Sequence, residues 1–371
     1  MKFTCLQENL TQALNKVYRA VPTKSELPIL SNILISAADD RITLSATNLS
    51  TTITTNIGAS IDKEGSITIP AKMFRDFVSN LGSTTIEAVL KDDILHVSSE
   101  STKSKFNGVP SDDFPDLPEE KKNLETIKID PQKFYKAVSN VAFCASIDDS
   151  RPVFTGILVN FDGKKIILAA SDGFRLAEAK MDVESKGSPF KIIIPAKTLI
   201  DVSKVFSDID KPIKFTLDQN ENLAMFSQED TLIATRIIDG DYPDYTKIIP
   251  DKTSTNLNFT SQEFMEAVKL TDIFAKNDSA VIMKIDPDGF IELSASAQEA
   301  GEHLSKKKAE IGNAEKVQVG FNSKFLLDFL NNIKHEKISI MTNGSSSPCL
   351  FKPTQEDEDY IHIIMPMQIN L

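Results

Sequence analysis

Four histidines, three cysteines and several acidic pairs are the residues of this chain best equipped for chemistry, and their spacing argues against it. His96, His303, His335 and His362 stand apart. None lies in an H-E-x-x-H run or beside a cysteine pair, the arrangements that hold zinc. Each reads as a surface or satisfied core histidine. Asp112-Asp113, Asp148-Asp149 and the group 357–359 read as solvated loops rather than as a catalytic pair. Asp286-Pro287-Asp288-Gly289 opens like a calcium loop but lacks the later ligands and the closing glutamate, so it reads as a hairpin turn. No G-x-x-x-x-G-K-S/T and no strand-linked G-x-G-x-x-G is present to cradle a phosphate. Nothing assembles a nucleophile, a base and an orienting group. The expectation is a protein without catalytic residues, metal or cofactor. An enzyme with an unrecognised site is the rival that these missing motifs disfavour.

Size and charge narrow the class further. The 371 residues exceed a usual single core. Cys5, Cys144 and Cys349 are few, odd in number and far apart, as suits a reducing compartment. The start, Met1-Lys2-Phe3-Thr4-Cys5, lacks the apolar run of a signal peptide, and no stretch approaches the ~20 apolar residues of a membrane span. A cytoplasmic protein with no membrane contact is expected. The net charge of −12 counts against a strongly basic nucleic-acid binder.

The elements that position these residues repeat three times. Pro70-Ala71-Lys72, Pro195-Ala196-Lys197 and Phe321-Asn322-Ser323-Lys324 place lysines 125 and 127 residues apart. Behind each lysine the sequence predicts one buried helix face. The faces are Phe74/Phe77/Val78/Leu81, Leu199/Val202/Ser203/Phe206 with one polar exception, and Leu326/Phe329/Leu330/Ile333. An earlier helix opens each unit. Its stripe is Leu10/Ala13/Leu14/Val17, then Phe134/Ala137/Val138/Val141, then Phe264/Ala267/Val268, where Thr271 ends the pattern. Asp130-Pro131 and the pair Thr260 and Glu263 are the expected helix starts, the second as a capping box. Alternating strands follow at Ile42/Leu44/Ala46, Ile166/Leu168/Ala170 and Ile291/Leu293/Ala295, each after a turn at Asp39-Asp40, Asp162-Gly163 or Asp288-Gly289. The chain therefore reads as α+β, three tandem copies of a domain with two helices on mostly antiparallel sheet. The boundaries are 1–122, 123–252 and 253–371, with short acidic links at Pro115–Asn123 and Pro250–Thr255.

Charge is split along the same lines. The six repeat helices sum to +4, which leaves −16 on the rest of the chain. Lys16, Arg19, Lys72, Arg75, Lys133, Lys136, Lys197, Lys204, Lys269 and Lys324 lie off the apolar stripes. These faces read either as ordinary solvated surfaces or as a weakly positive surface for a phosphate backbone. The latter gives salt-sensitive contact without base readout.

In this frame the chain resembles the bacterial sliding clamps, the beta subunits of DNA polymerase III. The resemblance is carried by Met1-Lys2-Phe3-Thr4, Leu27-Pro28-Ile29-Leu30-Ser31-Asn32-Ile33-Leu34, Ala170-Ser171-Asp172-Gly173-Phe174-Arg175-Leu176, Asp239-Gly240-Asp241-Tyr242-Pro243-Asp244-Tyr245, Gly320-Phe321-Asn322 and Ile364-Met365-Pro366-Met367, in order along the whole chain. It implies three copies of a DNA-clamp domain per chain and a homodimeric ring of six domains. Helices would line the hole around duplex DNA. The ring would tether a replicative polymerase and other factors and so confer processivity. A protein-only scaffold that never encircles DNA is the remaining rival.

The resemblance also implies sites. A cleft for short linear peptides of polymerases, the clamp loader and repair proteins would be lined by Phe154, Ser171, Gly173, Phe174, Arg175, Leu176, Pro243, Ile248, Asn322, Phe325, Ser347, Met365, Pro366 and Met367. Methionine and aromatic side chains make such a groove adaptable, and Arg175 is expected to hold a peptide carbonyl or carboxylate. Without the resemblance, Met365 and Met367 read as core. Lys24, Lys72, Arg151 and Lys197 are the expected DNA-facing residues, and Phe106, Ile273 and Phe274 the expected dimer contacts. The loop after Phe106 is expected to be about two residues shorter than in some relatives, as judged from the interrupted resemblance there. The tail Gln368-Ile369-Asn370-Leu371 is expected to run past the usual end.

Overall fold

The apolar stripes become helices, and the helices lie on antiparallel sheet. The computed structural model describes residues 1–121, 123–184, 187–206, 210–275, 280–297, 301–313, 316–354 and 359–368. Of the acidic group 357–359 only Asp359 is among them, and the tail beyond Gln368 lies outside the described residues. Seven α-helices occur among the described residues: α1 Gln7–Val17, α2 Ala71–Ser79, α3 Pro131–Val141, the one-turn α4 Pro152–Thr155, α5 Ala196–Val205, α6 Ser261–Asp272 and α7 Ser323–Asn332. None is long and apolar enough to cross a membrane.

Most stripe positions are buried, but on α2 only Phe74 and Val78 are, Phe77 being half-buried and Leu81 lying beyond the helix end. Leu10, Ala13, Leu14 and Val17 of α1, and Phe134, Ala137, Val138 and Val141 of α3, are all core residues. Ser203, the polar exception of α5, is buried as well. Thr271 extends the α6 stripe instead of ending it: it is fully buried, and its hydroxyl donates to the Ala267 carbonyl at 2.8 Å. The capping box at Thr260 and Glu263 does not form. Thr260 makes no side-chain cap bond, and its Oγ1 is buried without a partner among the described residues. The helix start is held instead by Ser261, whose N–H donates to the Glu336 carbonyl at 2.8 Å and whose hydroxyl donates to the His335 carbonyl at 2.5 Å. That bond needs a segment about 74 residues away, which a local capping rule does not see.

The chain folds as two compact units. The first comprises Met1–Gln132, Val183–Ser188 and Asp201–Ile237. Its eight-stranded sheet runs Thr126–Ile129, Ile213–Asp218, Leu223–Gln228, Thr231–Arg236, Thr51–Gly58, Arg41–Thr47, Asn32–Ala38, Gly65–Pro70. The sheet joins the first repeat to part of the second through Ile233 opposite Ile53. Asp39 and Asp40, at φ 49° and 57°, form the two-residue turn into Arg41–Thr47. A five-stranded sheet completes this unit, with Lys103–Asn107 at one edge.

The second unit comprises Lys133–Asp182, Pro189–Ile200 and Ile238–Leu371. Its nine-stranded sheet runs Phe190–Pro195, Gly156–Phe161, Lys165–Ser171, Arg175–Asp182, Tyr360–Ile364, Cys349–Pro353, Lys337–Thr342, Thr255–Thr260, Glu310–Asn313. Leu176 stands opposite Ile363 where the second and third repeats meet in this sheet. A four-stranded sheet ends at the edge strand Gly301–Lys308. Asp286-Pro287-Asp288-Gly289 is a hairpin turn, with the Gly289 N–H donating to the Asp286 carbonyl at 3.1 Å and φ +94° at the glycine.

Candidate functional site

A polar network surrounds the hairpin between the strands Lys165–Ser171 and Arg175–Asp182. Ser171 Oγ donates to the Arg175 carbonyl at 2.7 Å and accepts from the Gly173 N–H at 3.0 Å. Asp172 Oδ1 accepts from the N–H groups of Phe174 and Arg175, at 2.9 and 3.0 Å. Gly173 sits at φ +93°, a region that L side chains avoid. This tight turn pushes Phe174 outward, leaving the ring 61% exposed.

Arg175 lies beneath the turn. It is 8% exposed, with Nε 3.0 Å from Asp172 Oδ2 and Nη1 2.6 Å from Asp328 Oδ2 on α7. Its guanidinium also lies 4.6 Å from the Phe325 ring centre. Burial works against the charge, but the bond to Asp328 and the surrounding acids outweigh it and hold the pKa above the ordinary value. The side chain expected to hold a peptide carbonyl or carboxylate is thus already engaged by two carboxylates. It braces the turn to α7.

The Met365–Met367 segment crosses this turn. The Met365 N–H donates to the Phe174 carbonyl at 2.8 Å, and the Met367 N–H to the Gly320 carbonyl at 2.8 Å. Met365, Pro366 and Met367 are each half-buried, so they line a surface instead of filling the core. On the other flank Arg151 reaches the turn. Its Nη2 donates to the Asp172 carbonyl at 3.1 Å, and its guanidinium stacks 4.9 Å from the Phe154 ring centre. Phe154 packs on the buried group Leu158, Ala169, Ile193 and Tyr242, together with Tyr245. Tyr245 also packs on Leu176, Leu350, Ile361 and Ile363. Its hydroxyl donates to Glu178 at 2.5 Å. The floor is therefore one apolar surface pinned by buried polar bonds.

Other expected cleft residues are peripheral. Pro243 and Ile248 are exposed on the stretch around Tyr245, and Ser347 is half-buried two residues before Cys349. Asn322 caps α7, its Oδ1 accepting from the Lys324 N–H at 3.0 Å. Leu176 is core. Asp172 and Asp328, which hold Arg175, were not among the expected site residues. Asp172 lay within the hairpin motif, but Asp328 is 153 residues from Arg175 and carries no local signal.

Lys72, Lys197 and Lys324 occupy the same second position of α2, α5 and α7 and are exposed, as is Lys24 ahead of Leu27-Pro28. Three further basic residues engage named neighbours. Arg19 pairs with Asp201 at 3.1 Å, Arg75 with Asp76 at 2.6 Å, and Lys16 Nζ donates to Thr231 Oγ1 at 3.1 Å. Burial lowers the Lys16 pKa. Of the expected dimer contacts, Phe106 is 4% exposed and its ring meets Phe74 and Phe77 edge-on, each at 5.2 Å. It fills its own core. Phe274 stacks on His303 at 5.4 Å, and Ile273 is 54% exposed. The loop after Phe106 is fastened by paired bonds between Val109 and Thr68, both 3.0 Å.

His362 is a core histidine satisfied on one side only. Nδ1 lies 3.6 Å from Cys144 Sγ, while Nε2 is buried without a partner among the described residues. The ring stacks on Phe329 at 4.9 Å. Burial, helped by the Arg175 charge, lowers its pKa to about 3.

Comparison with known proteins covers the chain from end to end. Family models match in chain order: DNA polymerase III beta subunit, N-terminal domain, at residues 1–118; central domain at 128–244; C-terminal domain at 246–368. The Bacillus subtilis beta sliding clamp is 26% identical over 382 residues, covering 99% of this chain and 100% of the relative. The crystal structure of the DNA polymerase sliding clamp from Bacillus subtilis superposes with a TM-score of 0.93 at 25% identity, covering 100% of both chains. The DNA polymerase III beta subunit from Thermotoga maritima gives 0.93 at 26% identity, again over 100% of both.

Proposed function

The chain belongs to the DNA polymerase III beta subunit family, the sliding clamps that confer processivity, and from that premise we propose that two copies close head to tail into a six-domain ring around duplex DNA. The observation that carries this reading is the tandem of three clamp domains matched in order over the chain. We draw the domains at 1–122, 123–252 and 253–371. Two such chains supply six domains.

Topology would hold the ring on DNA, so the lining needs only a weak, sequence-blind field. The exposed lysines at the second position of α2, α5 and α7, with Lys24, suit that task. Arg151 divides its role, since its guanidinium is engaged by the Asp172 carbonyl. The ring would act as an accessory, without catalysis of its own, in the cytoplasm where replication occurs. Ile273, with Phe274 beside it, would meet the first domain of the partner copy.

Polymerase subunits, the clamp loader and repair proteins would dock by short linear peptides. Phe174, Phe154 and Met365–Met367 offer apolar contact, and Tyr245 anchors the floor. Negative-stain imaging of the purified chain at micromolar concentration tests the ring. Flat particles with a central hole, sized for two 41.0 kDa chains, are expected. Particles without a hole would sink the reading.

A further inference from the structure

A cavity of about 140 Å³ opens between α1 and the strands Thr51–Gly58 and Thr231–Arg236 of the first unit. None of the cleft residues lines it. Asn9, Gln12 and Lys16 line it from α1, at the i, i+3, i+7 spacing of one helix face. Asn9 and Gln12 are exposed, as are Glu229 and Asp230 on the opposite rim, so the cavity meets solvent. At the liquid share of about 30 Å³ per water it has room for a small acyl group.

Lys16 itself is half-buried. Its Nζ donates to Thr231 Oγ1 at 3.1 Å, and that oxygen lies 2.8 Å from Thr55 Oγ1. Both threonines are buried, so the amine is held against a fixed hydroxyl pair. The carboxylates on the rim each have a separate cation. Glu229 pairs with Lys211, and Asp230 with Arg41 at 3.3 Å. They still favour the Lys16 charge, but burial disfavours it more, and the pKa is lowered. A lysine desolvated in this way holds more of its amine in the neutral, nucleophilic form.

Acylation suits this place on two counts. It turns a half-buried ammonium into a neutral amide, which removes the cost of desolvating the charge. The new carbonyl needs donors, and the side-chain amides of Asn9 and Gln12 carry them on the same helix face. We propose that Lys16 is an acylation site that takes a small acyl group from a thioester. One N–H of the neutral amine stays on Thr231 Oγ1 while the nitrogen lone pair attacks the thioester carbonyl carbon. The C–N bond forms, the C–S bond breaks, and the proton released from nitrogen leaves on the departing sulfur as a thiol. On the ring reading, each such event removes one positive charge from the helix segments that would face DNA.

The full chain, incubated at about pH 7.5 with the acetyl thioester of N-acetylcysteamine, tests this by peptide mass spectrometry. Lys16 should gain acetyl at least about threefold faster than the exposed Lys24 and Lys72. The lead should vanish in urea above the unfolding midpoint, where the cavity no longer exists. Acetylation of Lys16 no faster than that of Lys24 and Lys72 overturns the proposal. A lead that survives unfolding also overturns it, because the reactivity would then belong to the local sequence. Neither outcome depends on ring formation, so both leave the clamp reading standing.

Discussion

At the residue scale, Arg175 and His362 are both buried ionisable side chains. Arg175 ties the hairpin at Asp172 to α7 at Asp328. The Phe174 carbonyl that carries the Met365 N–H belongs to the same hairpin. Arg175→Ala should therefore lower the affinity of a fluorescent clamp-binding peptide about tenfold, by loss of charged hydrogen bonds that shape the groove. Asp328→Asn should act in the same direction but more weakly, since Asp172 still holds the guanidinium. Fluorescence polarisation reads both, and wild-type affinity in the two variants would rule out the brace. His362 makes a second prediction. Its folded pKa near 3 lies below the unfolded value of 6.5, so between them the unfolded chain binds the extra proton. The neutral ring's contribution is fully present above about pH 6.5 and is lost as pH falls toward 3, at up to about 1.4 kcal/mol per pH unit. Urea titrations across that window should show a shallower acid slope for His362→Gln than for the wild type. Equal slopes would show that the buried ring does not govern it.

At the element scale, helices and strands exchange roles that a local reading assigns to one of them. Phe106 sits on the edge strand Lys103–Asn107, where the family resemblance implies a dimer contact. Instead its ring is inserted between Phe74 and Phe77 of α2. Removing a buried phenyl ring costs about 3–5 kcal/mol. Phe106→Ala should thus speed amide hydrogen exchange in both Lys103–Asn107 and α2 of the isolated chain. Unchanged protection with weakened self-association would return Phe106 to the interface.

At the scale of the whole molecule, the sum of charges matters more than any one pair. The helix segments carry +4 and the remainder −16, and Arg19 and Arg75 are partly neutralised by Asp201 and Asp76. A weak field of this kind should fade quickly with salt. In the proposed ring, association of the two copies would rest instead on apolar contact. Ile273→Lys should shift sedimentation toward a 41.0 kDa monomer while leaving peptide affinity unchanged. A dimer as stable as the wild type would place the contact elsewhere.

What the sequence determined by itself is periodic. Leu10, Ala13, Leu14 and Val17 announce a buried face because each sits one turn from the next, and the threefold recurrence of Lys72, Lys197 and Lys324 announces the tandem domains. The family motif around Ser171–Leu176 located the hairpin of the candidate site, but not what lies under it. The pairing of Arg175 with Asp328 was decided only by tertiary structure, as were the burial of Phe106 and the half-satisfied His362. The reason is physical. Periodicity records which face of an element leaves water, a property of neighbours a few residues apart. Which charge meets which, and which hydroxyl is left without a partner, depends on sheet order and register between segments far apart in the chain.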